Sequence, residues 1–385
     1  MEVHANDLIN GLVKKGHKLA VISSFHPENK QIVMVNEHLK YYFVGGNTLK
    51  SYDEFMKNSA NLFNELIKTE HFDVLYSESD FAMGLVKYCE INLPLVVLHH
   101  GFFMDEVKTR MYRGDLRGKL SSLLFYFKFR FNRWEVELLK RCTYLIVINN
   151  NNFHDFENNY PFLKGKVRLV FNGIDTNMFR RFENPDVKNE LNINTDRILL
   201  FTGRIEKEKG VHKIIQIFLK LIEEFPDSIL LILGEGNMKN ELVEWVRMND
   251  LEGHIMFLGK VPYERLPEYY SLAKIFIFPT LRYEGLPYNL IEALSCGCVV
   301  IASKRGGITS IIESEHNGVL IDPLDENDIL SAIKKVYNDK ELEKKIRINS
   351  REFAEENLSI SKMIDSTERI LFESIVRFKQ ASNGS

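Results

Sequence analysis

Cysteine is scarce in this chain, and what there is forms no pattern. Only Cys89, Cys142, Cys296 and Cys298 occur in 385 residues, each within an apolar segment. That spacing fits neither a disulfide framework nor a metal-ligand set, and predicts reduced cysteines in a core. No apolar run approaches the ~20 residues that a membrane-spanning helix requires. No secretory leader pattern precedes the first predicted helix. A dominant charge is missing as well. Lys and Arg total 50 against 53 Asp and Glu, a net charge of −3, so there is no global basic field of the kind nucleic acid demands. Nor does the sequence contain an Asp-x-Asp pair, the pattern expected of a metal-bound diphosphate site. The expectation is a cytoplasmic protein with no essential metal.

What is present is a globular composition, 45% hydrophobic and 27% charged, at a length suited to two cores. Residues 2–15, EVHANDLINGLVKK, read as an amphipathic helix closed by Gly16. A doubly wound domain normally opens with a strand, so either this one starts on a helix or its start lies upstream of Met1. Candidate strands follow at 18–23, 39–44, 73–77, 94–100, 144–149 and 167–172, β-branched or aromatic and bounded by polar turns. Helices are predicted between several of them, including 51–69 and 118–141. After a polar linker at 175–194, a second series begins. Its strands are RILLFTG (197–203), SILLILGEG (228–236), HIMFLG (254–259), KIFIFPT (274–280), CVVIAS (298–303) and GVLID (318–322), again alternating with helices. The alternation predicts an α/β chain with two Rossmann-like domains of mostly parallel sheet, joined near 172–195.

The chemically suggestive residues gather where strands of the second series end, the place where open α/β sheets bind ligands. Gly203-Arg204 follows one strand, and Lys209-Gly210 opens the next helix. Two cations beside a helix N-terminus suit a diphosphate, although EKEK also reads as a solvated surface loop. Gly234-Glu235-Gly236 ends the next strand and by itself reads as a bare turn. The densest stretch is FPTLRYEGLPYNLIEALSCG (278–297). A strand ends at Pro279, a loop carries Glu284-Gly285-Leu286, Pro287 fits the first turn of a helix, and Glu292 lies within it. The first carboxylate suits sugar hydroxyls and the second a ribose diol, while amides around 285–288 suit phosphate oxygens. Read singly, the two glutamates are also an acid near a helix N-terminus and an exposed helix residue. The strand–loop–helix context around both favours a nucleotide-sugar pocket.

Together these segments resemble family 4 glycosyltransferases of the retaining GT-B type. Glu284 and Glu292 within EGLPYNLIEALSCG match the family signature, and GRIEKEKG (203–210) its phosphate motif. NGID with Phe179, GEG (234–236), GHKLAVIS (16–23) and the HG of HHGF (99–102) resemble further landmarks. The resemblance implies GT-B architecture, two Rossmann-like domains with parallel sheets facing a central cleft. It places an acceptor-binding domain at 1–172, lacking its first strand, a nucleotide-sugar domain at 173–358, and a helix at 359–385 that crosses back. It implies that Arg204 and Lys209 bind the donor diphosphate, Glu292 the ribose and Glu284 the transferred sugar. Gly203, Gly234, Gly285, Leu286 and Pro287 would line the donor, with His100 near the reacting sugar. His99, its neighbour in a strand, points the other way. Three departures stand out. The family's opening strand and glycine turn would precede Met1, Ser310 stands where glutamate is common, and Asn149 where serine is frequent.

The implied reaction moves a hexosyl unit, with retention, from a UDP- or GDP-sugar to a glycan or lipid-linked acceptor, as in cell-envelope polysaccharide synthesis. The alternatives are a catalytically silent nucleotide-sugar-binding protein and a phosphorylase or epimerase on the same scaffold. One further segment suggests where an acceptor is met. Residues 107–141 contain ten Lys or Arg against three acids, with Leu116, Leu120, Leu123, Leu124, Phe127, Phe131 and Trp134 at near-helical spacing. A basic amphipathic helix suits peripheral contact with an anionic membrane, on the inner face of the cell membrane for a cytoplasmic protein. The same pattern also describes a helix packed on a sheet.

Overall fold

The computed structural model describes residues 2–24, 26, 28, 30–45, 52–111, 116–130, 132–183 and 185–383. Arg113, Asp115 and Phe131 of the basic stretch 107–141, and Asn184 of the linker 175–194, lie outside them. The chain divides into two compact units, one of residues 1–103, 123–173 and 361–385, the other of 104–122 and 174–360.

The first unit holds two sheets among the described residues. β1 (Leu19–Ser23), β2 (Ile32–Asn36) and β3 (Leu39–Phe43) form one, in the order β1-β3-β2, with β2 antiparallel to β3. β4 (Leu75–Glu78), β5 (Leu95–His99), β6 (Tyr144–Val147) and β7 (Val167–Leu169) form the other, all parallel and in sequence order. β5 and β6 are almost wholly buried, which is why they read as continuous apolar runs without alternation. β2 was not anticipated. It is an exposed edge strand, and Ile32, Met34 and Val35 all face solvent, so it carries no half-buried period.

The first element is indeed a helix, Glu2–Lys14. The closing helix, Ile360–Asn383, packs beside it: Lys15 Nζ meets Asp365 at 2.7 Å and His17 Nε2 meets Glu368 at 2.7 Å. The helix expected over 118–141 is two, Leu116–Arg130 and Arg133–Arg141. Asn132 separates them. Its side chain accepts from the amides of Trp134 and Glu135, so it caps the second helix.

Among the described residues the second unit holds one six-stranded parallel sheet: β8 (Ile198–Thr202), β9 (Ile229–Leu233), β10 (Ile255–Gly259), β11 (Ile275–Phe278), β12 (Val299–Ser303) and β13 (Val319–Ile321). The order is β10-β9-β8-β11-β12-β13. Winding runs outward from β8 in one direction, then reverses at β11, so β8 and β11 flank the switch point of a Rossmann-type sheet. The helix Val211–Glu224 follows β8 and buries Val211, Ile214, Ile215, Phe218 and Leu221 along one face. Each such side chain contributes roughly 1.5–3 kcal/mol on leaving water. Predicted helix 307–314 is instead a 3₁₀ turn, Gly306–Ser310.

Candidate functional site

The residues singled out in the second unit lie just past the carboxyl ends of β8, β9 and β11. Beyond β8, Gly203 and Arg204 lead into a 3₁₀ turn, Lys207–Lys209, and Gly210 then starts the helix Val211–Glu224. Beyond β11, residues 279–287 form the loop before the helix Tyr288–Ser295. The two loops are stitched together. The Leu281 amide donates to the Glu208 carbonyl at 2.8 Å, and Arg282 donates to the Glu208 carboxylate at 2.8 Å. Arg282 also reaches Glu106 at 3.0 Å, a residue of the 104–122 segment of the same unit.

Within this frame Lys209 Nζ donates to Glu284 Oε1 at 2.7 Å, with both side chains 14% exposed. The Thr280 hydroxyl donates to the same carboxylate oxygen at 3.1 Å. The structure thus unites the predicted diphosphate lysine and the predicted sugar carboxylate, 75 positions apart in the chain. From the other side the Gly307 amide donates to the Glu284 carbonyl at 2.8 Å. Gly306, at φ +52°, leaves no room for a side chain, since a Cβ there would stand 2.5 Å from the same carbonyl oxygen.

Glu292 occupies a different environment. It lies within the helix Tyr288–Ser295, 5% exposed, and accepts from the Tyr270 hydroxyl at 2.8 Å. Tyr270 in turn contacts the Thr202 hydroxyl at 2.9 Å, at the end of β8. Burial pushes the Glu292 carboxyl up to about 7, and the Tyr270 hydrogen bond only partly opposes this. The reading of Glu292 as an exposed helix residue is therefore excluded. Asn289, one turn earlier, donates to the Thr202 carbonyl at 2.8 Å and ties this helix to β8.

The remaining predicted residues of the second unit make fewer side-chain contacts. Arg204 is 62% exposed and pairs with Glu206 at 2.7 Å rather than with Glu284. Gly234 lies against Gly203; a Cβ on it would sit 1.9 Å from the Gly203 carbonyl oxygen, so close packing of two loops already requires glycine there. Leu286 is buried. Pro287 is the N-cap of its helix and not a residue of the first turn, as its extended ψ of 134° shows. Gly285 lies in the loop between Glu284 and Leu286.

His100 belongs to the first unit, one residue past β5. Its Nε2 lies 2.7 Å from Glu78 Oε2, and His4 Nδ1 approaches the other oxygen at 3.0 Å. These three are the one set among the described residues with three metal-capable side chains in mutual reach. His99 turns away, its Nδ1 2.8 Å from the Gly101 carbonyl. The four cysteines are free, three of them buried.

Sequence reasoning missed Thr280, Arg282, Asn289, Tyr270, Glu78 and His4. Thr280 and Arg282 lay inside the segment already singled out and carried a signal there. Glu78 and His4 carried none, because their partners are remote in sequence.

Comparison with known proteins matches the "Glycosyl transferases group 1" family over residues 183–353 and "Glycosyltransferase Family 4" over residues 1–178. The chain is 28% identical over 197 residues to the spore coat protein SA of Bacillus subtilis, a match covering 46% of this chain and 52% of that one. It thus spans about half the length of that relative. It is 25% identical over 331 residues to the UDP-Gal:alpha-D-GlcNAc-diphosphoundecaprenol alpha-1,3-galactosyltransferase of Escherichia coli, covering 83% and 80%. Among solved structures it is similar to Anabaena Alr3699/HepE in complex with UDP, with a TM-score of 0.71, 17% identity and 87% of each chain covered. That likeness is one of fold. The two matched family regions account for nearly the whole sequence, and the chain belongs to the GT-B glycosyltransferases of family 4.

Proposed function

We propose that the chain transfers a hexosyl unit, with retention, from a UDP-linked sugar to a hydroxyl of a glycan or lipid-linked acceptor. The observation that carries this reading is the Lys209–Glu284 pair at the switch point between β8 and β11. A UDP-bound structural neighbour and a relative named for UDP-Gal support the choice of base. That relative's named diphosphoundecaprenol substrate supports a lipid-linked acceptor.

In this reading Lys209, Arg204 and the amide end of the helix Val211–Glu224 neutralise the donor diphosphate, and no essential metal is required. Arg204 exchanges Glu206 for phosphate. Glu284 accepts from hydroxyls of the sugar, and Glu292 from the ribose diol. Gly203, Gly234, Gly285, Leu286 and Pro287 line the donor, and His100 takes part in turnover. The anomeric C–O bond to the diphosphate breaks with its electron pair on the leaving oxygen. That phosphate takes the proton of the acceptor hydroxyl, whose oxygen bonds to the anomeric carbon on the same face. No protein nucleophile is needed.

The acceptor side includes contact with an anionic membrane surface. Leu120, Leu123 and Leu124 in the helix Leu116–Arg130 are 61%, 52% and 64% exposed, within the basic stretch 107–141. No described helix is long and apolar enough to cross a membrane. The test is release of UDP from a panel of UDP-sugars in the presence of lipid-linked and free glycans. Acceptor-dependent release with at least one pair supports the reading; cleavage that depends on inorganic phosphate instead identifies a phosphorylase.

A further inference from the structure

The carboxylate between two histidines in the first unit decides which protons those histidines carry. Glu78 ends β4, and His100 follows β5, the neighbouring parallel strand; Glu78 is in register with Leu98. His4 comes from the helix Glu2–Lys14 and is fully buried. Glu78 Oε2 lies 2.7 Å from His100 Nε2, while Oε1 lies 3.0 Å from His4 Nδ1 and 3.3 Å from the Tyr76 hydroxyl. Glu78 and His100 are 14% and 17% exposed, so water competes weakly for these contacts.

Burial pushes the Glu78 carboxyl up, but the hydrogen bonds from His100 and His4 outweigh it and hold the group down at about 2. Burial also lowers His100 below its ordinary value, with Glu78 opposing, which favours a neutral ring. An ionised carboxylate only accepts hydrogen bonds, so each polar atom facing it must bring a proton. His4 therefore carries its proton on Nδ1 and His100 on Nε2. A neutral imidazole has one N–H, so Nδ1 of His100 keeps its lone pair. His4 Nε2 is buried without a hydrogen-bond partner.

We infer that Glu78 is a positioning residue: by accepting from Nε2–H it locks His100 in one tautomer and presents Nδ1 as a hydrogen-bond acceptor for a sugar hydroxyl. His4, on the second oxygen, holds the carboxylate's orientation. The use of Nδ1 rests on the proposed glycosyl transfer; the tautomer lock does not. A group fixed in the wrong tautomer loses its function even when its position is kept.

The test is ¹⁵N NMR of the histidine rings in the full chain, before and after EDTA, with steady-state kinetics on wild type and Glu78→Gln. The expected wild-type spectrum has His100 neutral and protonated on Nε2, unchanged by EDTA. In Glu78→Gln the amide NH₂ competes for a ring lone pair, so His100 should become a tautomer mixture. Its kcat should fall at least roughly tenfold while the donor KM stays within about twofold. The wild-type spectrum decides even where the variant does not fold. A His100 protonated on Nδ1, a cationic ring, or metal-shifted nitrogens reversed by EDTA would overturn the inference. So would an unchanged tautomer in a folded Glu78→Gln. The expected spectrum in a protein that turns over no nucleotide sugar would sink the transfer proposal and leave the lock standing.

Discussion

Lys209 and Glu284 hold each other at 2.7 Å, with each side chain only 14% exposed. In the proposed reading a donor diphosphate competes with Glu284 for the Lys209 cation. Phosphate oxygens would draw Lys209 away, and sugar hydroxyls would take up the acceptor capacity of Glu284.

Lys209→Met removes the cation and leaves a half-buried carboxylate with only the Thr280 hydroxyl. Unfolding stability should fall by about 1.5–3 kcal/mol. Turnover should fall further, by about 100-fold or more in kcat/KM, as charge on the leaving diphosphate goes unmet. Glu284→Gln should retain most of the stability and lose turnover. Denaturant melts and initial rates on the same preparations separate the two effects.

Glu292 predicts a pH dependence. Its folded-state carboxyl titrates at about 7 against an ordinary 4.5. The raised group favours the fold fully below its unfolded value, and that stability is lost as pH rises through the folded value. Across about pH 5 to 8 wild type should lose on the order of 3 kcal/mol relative to Glu292→Gln, which cannot ionise. The comparison is needed because Glu135, raised to about 7 by burial and by Asp80, contributes a parallel slope. Melting temperatures at stepped pH would show the two curves converging at the acid end and parting towards neutrality; parallel curves would contradict the burial argument.

What the sequence revealed and what it hid follow from range. β8, β9, β11 and β12 were legible because central parallel strands are apolar on both faces. The loop with Glu284 was legible because strand end, glycine, proline and helix fall within a dozen residues. β2 was hidden, since an exposed edge strand has no buried face to impose a period. The break at Asn132 carried a capping signal that the surrounding apolar spacing obscured. The hydrogen bond from Tyr270 to Glu292 spans 22 positions, and the pairing of Glu78 with His4 spans 74. No local pattern encodes such contacts.

Gly306→Ala tests how tightly the loop is specified. Its positive φ and the carbonyl of Glu284 at 2.5 Å leave an added methyl no room. The cost should be about 1–3 kcal/mol, with Glu284 displaced and turnover reduced. Gly253→Ala is the control, because nothing lies within 4 Å of its Cβ position. It should stay within about 0.5 kcal/mol of wild type and keep full turnover.

Membrane contact through the helix Leu116–Arg130 predicts co-sedimentation with vesicles containing anionic lipid and much weaker binding to neutral ones. Replacing Leu120 and Leu124 together by Glu should lower the anionic-vesicle affinity at least about tenfold, through lost apolar burial and added repulsion. Equal binding of wild type and the double variant would remove the helix from the account.

The proposed diphosphate site is built around Lys209. Calorimetric titration of UDP in EDTA, into wild type and into folded Lys209→Met, tests it most directly. The expected result is saturable binding by wild type without metal, weakened at least about tenfold in the variant. UDP binding that needs a divalent ion, or that is equally tight in both proteins, would contradict it.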